Sequence, residues 1–429
     1  MVNAMPELTT SVASEQYTST TAVPAFDQTK NLNLELCQAF FPMKNVIQNY
    51  AWGSKTSLNQ LFGISNSESA PQAEMWMGAH PNGCSLVTSQ GISVKLSELI
   101  ASNPQHYLGE QTANTFGELP YLFKILAAEQ ALSIQVHPSK AQAESGYAKE
   151  QQLGVPLTAS HRNYKDPNHK PELVYALTQY QAMNGFRPIE EIIENFTQLA
   201  IPELNWLLEA FTEEPNSHGL ASFFSGILSL QGEQKEMALT MLMVKAKLSI
   251  EPVYALITEL EKQYPNDVGL FAPLMLNVIT LQPGEAMYLD AQTPHAYLHG
   301  TGLEIMANSD NVLRAGLTPK HIDVEELVSC TQFVSKPKHS LKLAPSIDAG
   351  IESFEVPVDD FKFAILHNSD NRHLTATSAE ILLPLDEPMT LTHNNGETCQ
   401  IAIGDSVFVA ANTCNYTLSC QGRVARAYS

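Results

Sequence analysis

Four side chains from three separate segments of this chain could bind one metal ion. Residues 132–138 read Leu-Ser-Ile-Gln-Val-His-Pro. In a β-strand, side chains two apart share a face, so Ser133, Gln135 and His137 point one way and Ile134 and Val136 the other. About 35 residues on, His169-Lys170-Pro171-Glu172 adds a carboxylate, and Pro294-His295, after a Pro-Gly turn and a strand-like run, adds a second imidazole. Two neutral imidazoles, a carboxylate and an amide oxygen suit zinc, and equally manganese, iron or cobalt. Taken singly, Gln135 reads as readily as an amide hydrogen-bonded within a strand, and either histidine as a satisfied imidazole. Three segments that each bring a ligand to a strand or turn make the mouth of a β-barrel the natural place for the set.

The elements that must carry these groups follow from hydrophobic pattern. Residues 41–177 alternate short apolar runs with Gly, Pro and Asn, the texture of strands in a sandwich or barrel. After Arg187-Pro188 the period lengthens: Ile189, Ile192, Ile193 and Phe196, then Leu204, Leu207, Leu208 and Phe211, each fall at i, i+3, i+4, i+7. This predicts a helical insertion over 188–263, ended by Tyr264-Pro265. Strand texture resumes at 276–281. An internal repeat is visible, because residues 284–295 (GEAMYLDAQTPH) match residues 404–415 (GDSVFVAANTCN). Such a repeat is how a double-stranded β-helix, or cupin, builds its corner, and Asn415 stands where the first copy has His295.

A mainly β protein is therefore expected, with two double-stranded β-helix domains and an inserted α-helical domain. Residues 41–187 and 264–329 should form the metal-bearing barrel, and 330–429 a smaller metal-free one. Residues 1–40, rich in Ser, Thr and Ala, read as a disordered tail. At 429 residues and 44% hydrophobic the chain can bury a large core. Forty-five acidic against 24 basic residues give a net charge of -21, a field that repels nucleic acid and anionic membranes. Six scattered cysteines with no C-x-x-C pair, and no secretory or membrane-spanning signal, point to a reduced cytoplasmic protein.

Six ordered stretches resemble a known family. Asn49-Tyr-Ala-Trp-Gly53, Glu74-Met-Trp-Met-Gly-Ala-His80, residues 132–138, His169-Lys-Pro-Glu172, Pro294-His-Ala-Tyr297 and residues 304–320 (EIMANSDNVLRAGLTPK) are similar to type I mannose-6-phosphate isomerases, of the cupin superfamily. The resemblance is dense over residues 41–328. It implies interconversion of mannose 6-phosphate and fructose 6-phosphate through a cis-enediol(ate), with one zinc ion per chain held by Gln135, His137, Glu172 and His295. By the same likeness Arg314 is catalytic, and Ser133, Lys124 and Lys320 contact phosphate.

An always-protonated guanidinium is a poor base but a good partner for a developing oxyanion. Glu304, Lys170, His295 or a metal-bound water could carry the proton; Lys170 or Glu304 is favoured, the latter equally readable as orienting a histidine. A hairpin at residues 300–302 would set Tyr297 opposite Glu304, and Trp52 either lines the sugar pocket or belongs to the core. Lys320 could begin a helix and lend it amide donors for phosphate. A small-molecule sugar phosphate is the expected partner, with the chain a monomer or weak homo-oligomer. A cupin oxygenase or a two-cupin binding protein would share the ligands without a reason for the basic cluster.

Overall fold

The computed structural model describes residues 38–89 and 91–429. Residues 1–37 of the expected tail lie outside them. The remaining three belong to the fold: Phe40 is buried and opens the strand Phe40–Lys44.

Ten strands among the described residues make the sheet that carries the predicted ligands, and its centre is the long strand His295–Ala307. Its first part pairs with Tyr180–Phe186 and, at His295, with Gln135; its second part lies between Tyr121–Ala128 and Glu172–Ala176. The turn expected at residues 300–302 is absent, because each half of the strand finds its own neighbours and the chain bends instead of reversing. Between Tyr297 and His299 the strand advances two residues while Tyr180–Phe186 advances one. This β-bulge inverts the inside-outside alternation. The odd position Tyr297 lines the central cavity before it, and the even positions Glu304 and Met306 line that cavity after it. Tyr297 and Glu304 thus share a face without a hairpin.

The helical insertion forms where the 3.6-residue period begins. Its main helices are Ile189–Leu199, Asn205–Glu213, Ser217–Leu228, Gly232–Leu248 and Pro252–Gln263. Pro188 precedes the first, and Pro252 opens the last, where its missing N–H costs nothing. Ile192, Phe196, Leu207 and Phe211 are buried in one apolar cluster with Ile134 and Val136 of the ligand strand. The insertion's core is therefore the anchor for the back of that strand.

The second barrel repeats the corner. Gly284 (φ +94°) and Gly404 (φ +85°) turn into Ala286–Leu289 and Ser406–Val409, each followed by a long strand, one beginning at His295 and the other at Asn415. Residues 330–429 do not build this barrel alone. Its sheet also takes Phe40–Lys44, Leu86–Ser89 and Ile92–Lys95 from the N-terminal part, and Leu343 bridges back to Ala286. The physical reason is edge satisfaction: Phe40–Lys44 pairs with Ser406–Val409 and covers its unpaired backbone groups. One face of the second barrel's strands shares an apolar cluster with Phe123, Ile125 and Tyr175 of the first; the other gathers Leu366, Leu391, Val407 and Leu418 into a separate cluster.

The bulge depends on Gly300, whose φ is +120° and where a Cβ would lie 2.4 Å from the Gln179 carbonyl oxygen. Gly300→Ala is expected to lower the melting temperature by about 5 °C or more, with loss of activity; unchanged melting and turnover would show that the strand relaxes freely.

Candidate metal centre and sugar-phosphate cavity

Register puts the site together. His295 lies directly opposite Gln135, and Gln135 opposite Arg314, so one row across three strands presents an imidazole, an amide and a guanidinium. Neighbouring rows set Met306 beside Glu172, and Trp76, Lys124 and Glu304 side by side. Of these, all but the deeply buried His295 line a cavity of about 1140 Å³, as do Ser133, Lys170, Tyr297, Trp52 and Lys320. Behind the ligand strand Ile134 and Val136 are buried, as its alternation predicts.

His137, Glu172 and His295 are buried, and their potential ligand atoms all lie within 4.8 Å of one another. His137 Nδ1 is 2.6 Å from the Asn311 carbonyl oxygen, and His295 Nδ1 is 2.9 Å from that of Thr293. A carbonyl only accepts, so each Nδ1 carries the proton and each Nε2 offers a lone pair. His137 Nε2 sits 3.2 Å from Glu172 Oε1, yet it is buried with no hydrogen-bond partner. A lone pair facing a carboxylate oxygen is repulsive unless a cation lies between them. Burial pushes the His137 imidazole down to about 4, which keeps it neutral as a ligand must be. Burial alone would raise the Glu172 carboxyl, but the Lys170 ammonium, 3.0 Å away, holds it well below the usual carboxylate range.

Charge balance agrees. Glu74, Glu172 and Glu304 are all buried here, and among the described residues only Lys124 and Lys170 stand beside them as buried ammoniums. The uncompensated negative charge would cost several kcal/mol. A divalent ion relieves it, and the donor set fits zinc, with His137, Glu172 and His295 holding it and Gln135 adjacent.

Around this centre Tyr297 donates to Glu172 Oε2. Lys124 lies 2.6 Å from Glu304 and 3.8 Å from Glu74, so its charge is engaged by carboxylates where the resemblance implied phosphate. Register is the reason, because Lys124 and Glu304 are cross-strand neighbours. Burial, together with Glu172 and Glu74, raises the Glu304 carboxyl against the pull of Lys124.

A different end of the cavity is cationic. Arg314 and Lys320 have no ion-pair partner among the described residues, and the Lys320 ammonium is lowered chiefly by Arg314, with burial and Lys165 adding. Burial lowers Arg314 as well. Lys320 does not begin a helix. Helix Val324–Ser329 starts four residues later, and the Asp323 side chain caps it. Trp52 combines both expected roles, since it lines the cavity while packing against Tyr50 and the barrel's apolar cluster. Sequence reasoning gave no role to Lys165, Glu74 or Asn311. Lys165 lies in no motif, whereas Glu74 and Asn311 sit inside recognised stretches and were open to attention.

Fold and site define a cupin metalloenzyme with an inserted helical domain. Family models for phosphomannose isomerase type I match here, the catalytic domain over residues 40–189 and the helical insertion domain over 197–276. The mannose-6-phosphate isomerase of Escherichia coli is 47% identical over 388 residues, 90% of this chain and 98% of that one; the Homo sapiens enzyme is 36% identical, covering 87% and 93%. A crystal structure of mannose 6-phosphate isomerase from Salmonella typhimurium bound to substrate (f6p) and zinc has 45% identity and a TM-score of 0.87, covering 91% of this chain and 100% of that one. The chain belongs to the type I phosphomannose isomerase family.

His137→Ala and Glu172→Ala are each expected to weaken zinc binding by more than the roughly 10- to 100-fold typical of losing an outer hydrogen-bond partner. Metal analysis after dialysis checks this; full zinc occupancy in either variant would remove that residue from the ligand set.

Proposed function

We propose that this chain reversibly interconverts mannose 6-phosphate and fructose 6-phosphate in the cavity described above, with the phosphate held at the Arg314–Lys320 end and the sugar carbons beside Glu304. The observation that carries the assignment is the division of the cavity into two electrostatic ends. Lys124 and Lys170 are spent on buried carboxylates, while Arg314, Lys320 and Lys165 crowd one another, and Ser133 also lines the cavity. Mutual repulsion among unpaired cations is relieved by a dianion, which suits a phosphate ester. An oxygen-activating cupin has no use for such an end.

The reaction moves a proton between C2 and C1 of the open-chain sugar. Zinc, when bound, supplies Lewis-acid polarisation of the sugar's carbonyl and hydroxyl oxygens. Glu304 is the proton carrier in this reading: it lines the cavity as a carboxyl that burial raises against the pull of Lys124 and Lys170, and Lys124 at 2.6 Å fixes its orientation. Lys170, held 3.0 Å from Glu172, acts by charge in this reading; so does Arg314, which steadies negative charge on the oxygen side of the enediolate or on the phosphate. Gln135 completes the ligand set, Tyr297 orients Glu172, and Trp52 borders the sugar.

The site is complete within one chain, in keeping with a monomer or weak homo-oligomer. Among the described residues no helix is long and apolar enough to cross a membrane, and the free cysteines support a reducing, cytoplasmic setting.

The test is an aldose–ketose conversion assay with and without chelator on three proteins. Chelation should abolish turnover and zinc restore it. Glu304→Gln should lower kcat by about 10²- to 10⁴-fold with zinc content unchanged, and Lys320→Ala should act mainly on KM and on inhibition by inorganic phosphate. Near-normal kcat in Glu304→Gln would exclude it as proton carrier.

A further inference from the structure

The segment that leaves the helical insertion reaches into the cationic end of the cavity. Asp267, four residues past the helix Pro252–Gln263, turns its carboxylate onto the loop that follows Arg314. Its Oδ1 accepts from the Gly269 and Leu317 amides at 2.7 and 2.8 Å, and its Oδ2 from the Thr318 amide at 3.1 Å. Leu317 is held at φ +51°, in the left-handed region that a branched side chain rarely adopts. The two loops touch through glycines: a Cβ on Gly316 would lie 2.7 Å from Gly269 Cα, and one on Gly269 would lie 2.6 Å from the Leu317 nitrogen. On its other side this loop pairs with the ligand strand, through Ala315 N to Ile134 O at 2.8 Å and Ile134 N to Gly316 O at 3.0 Å. Tyr264 and Gln263 bind the Ala131 peptide at the start of the same strand.

From these contacts we infer that Asp267 is a positioning residue for phosphate recognition: its carboxylate sets the left-handed turn at Leu317 so that Arg314 and Lys320, six residues apart, return their charges to one end of the cavity. The inference rests on the reading that this end takes the phosphate. Asp267 is not among the residues that line the cavity. Its negative charge lies on the far side of the loop, where it satisfies three amides that would otherwise compete to face inward. Without it Leu317 relaxes from positive φ, and the loop loses the bend that brings Lys320 back beside Arg314.

The experiment uses the full-length zinc enzyme and inorganic phosphate as a competitive probe, with Asp267→Ala, Asp267→Asn and Lys320→Ala compared. Asp267→Ala should raise KM for mannose 6-phosphate and the inhibition constant for phosphate together, by about tenfold, with kcat changed by less than about threefold and zinc content unchanged. Asp267→Asn keeps the Oδ1 acceptor for Gly269 and Leu317 but sets an amide donor against the Thr318 N–H, so it should show a smaller shift in the same two constants; it also serves where the alanine variant fails to fold. A lowered melting temperature with both constants unchanged would reduce Asp267 to a structural role and overturn the inference. If Lys320→Ala also leaves the phosphate inhibition constant unchanged, the reading of the cationic end has failed as well. If it alone raises that constant, only the role of Asp267 has failed.

Discussion

Burying charge is the constraint around which this molecule is arranged. Glu74, Glu172 and Glu304 are each withdrawn from water within one cavity, and an isolated carboxylate there would be protonated or would unfold its surroundings. Each is instead committed to a cation: Glu304 and Glu74 to Lys124, Glu172 to Lys170 and to the metal that the two imidazoles are oriented to share. The consequence is a division of labour among basic residues. Lys124 and Lys170 are paired with buried carboxylates, whereas Arg314 and Lys320 have no ion-pair partner among the described residues. In a chain whose overall charge is -21, such a local reserve is what allows an anionic sugar to enter at all.

Rigidity of the ligand strand comes from outside its own barrel. Ile134 and Val136 are set in the helical insertion's apolar core, and the outward residues of Tyr121–Ala128 are set against the second barrel. The metal-bearing barrel is thus packed from outside on two sides, and its inward face carries the polar groups of the site. In the second barrel the long strand begins at Asn415 in place of histidine, and Asn415 bonds to Thr375. There one face of the sheet is filled by Leu366, Leu391, Val407 and Leu418. The duplicated corner therefore serves packing in one copy and chemistry in the other. His169 adds a polar tie between the two, bonding at 3.0 Å to Asp360.

Much of this was legible in the residues because β-strands and helices write their faces locally. The alternation of Ser133, Gln135 and His137 against Ile134 and Val136 needs no partner to be read, and the insertion's stripes need only a period of 3.6. The repeat of Gly-acid-strand-turn located both corners. Beyond that range the reading weakened for one reason, which is that pairing partners far apart in sequence leave no local mark. The pairing of Lys124 with Glu304 spans 180 residues; the strand Phe40–Lys44 joins the last barrel; and Asp267 meets the loop after Arg314 only in space.

By itself, then, the amino-acid sequence determined which residue types could ligate metal, which faces they share, and where helices interrupt the strands. Tertiary structure alone decided which cation each carboxylate takes, how the bulge at Tyr297–His299 brings Tyr297 and Glu304 onto one wall, and which basic residues remain unpaired. Side-chain alternation is a property of a few consecutive peptide units, whereas register, bulges and charge pairing are chosen by the whole chain's competition to cover every buried polar group.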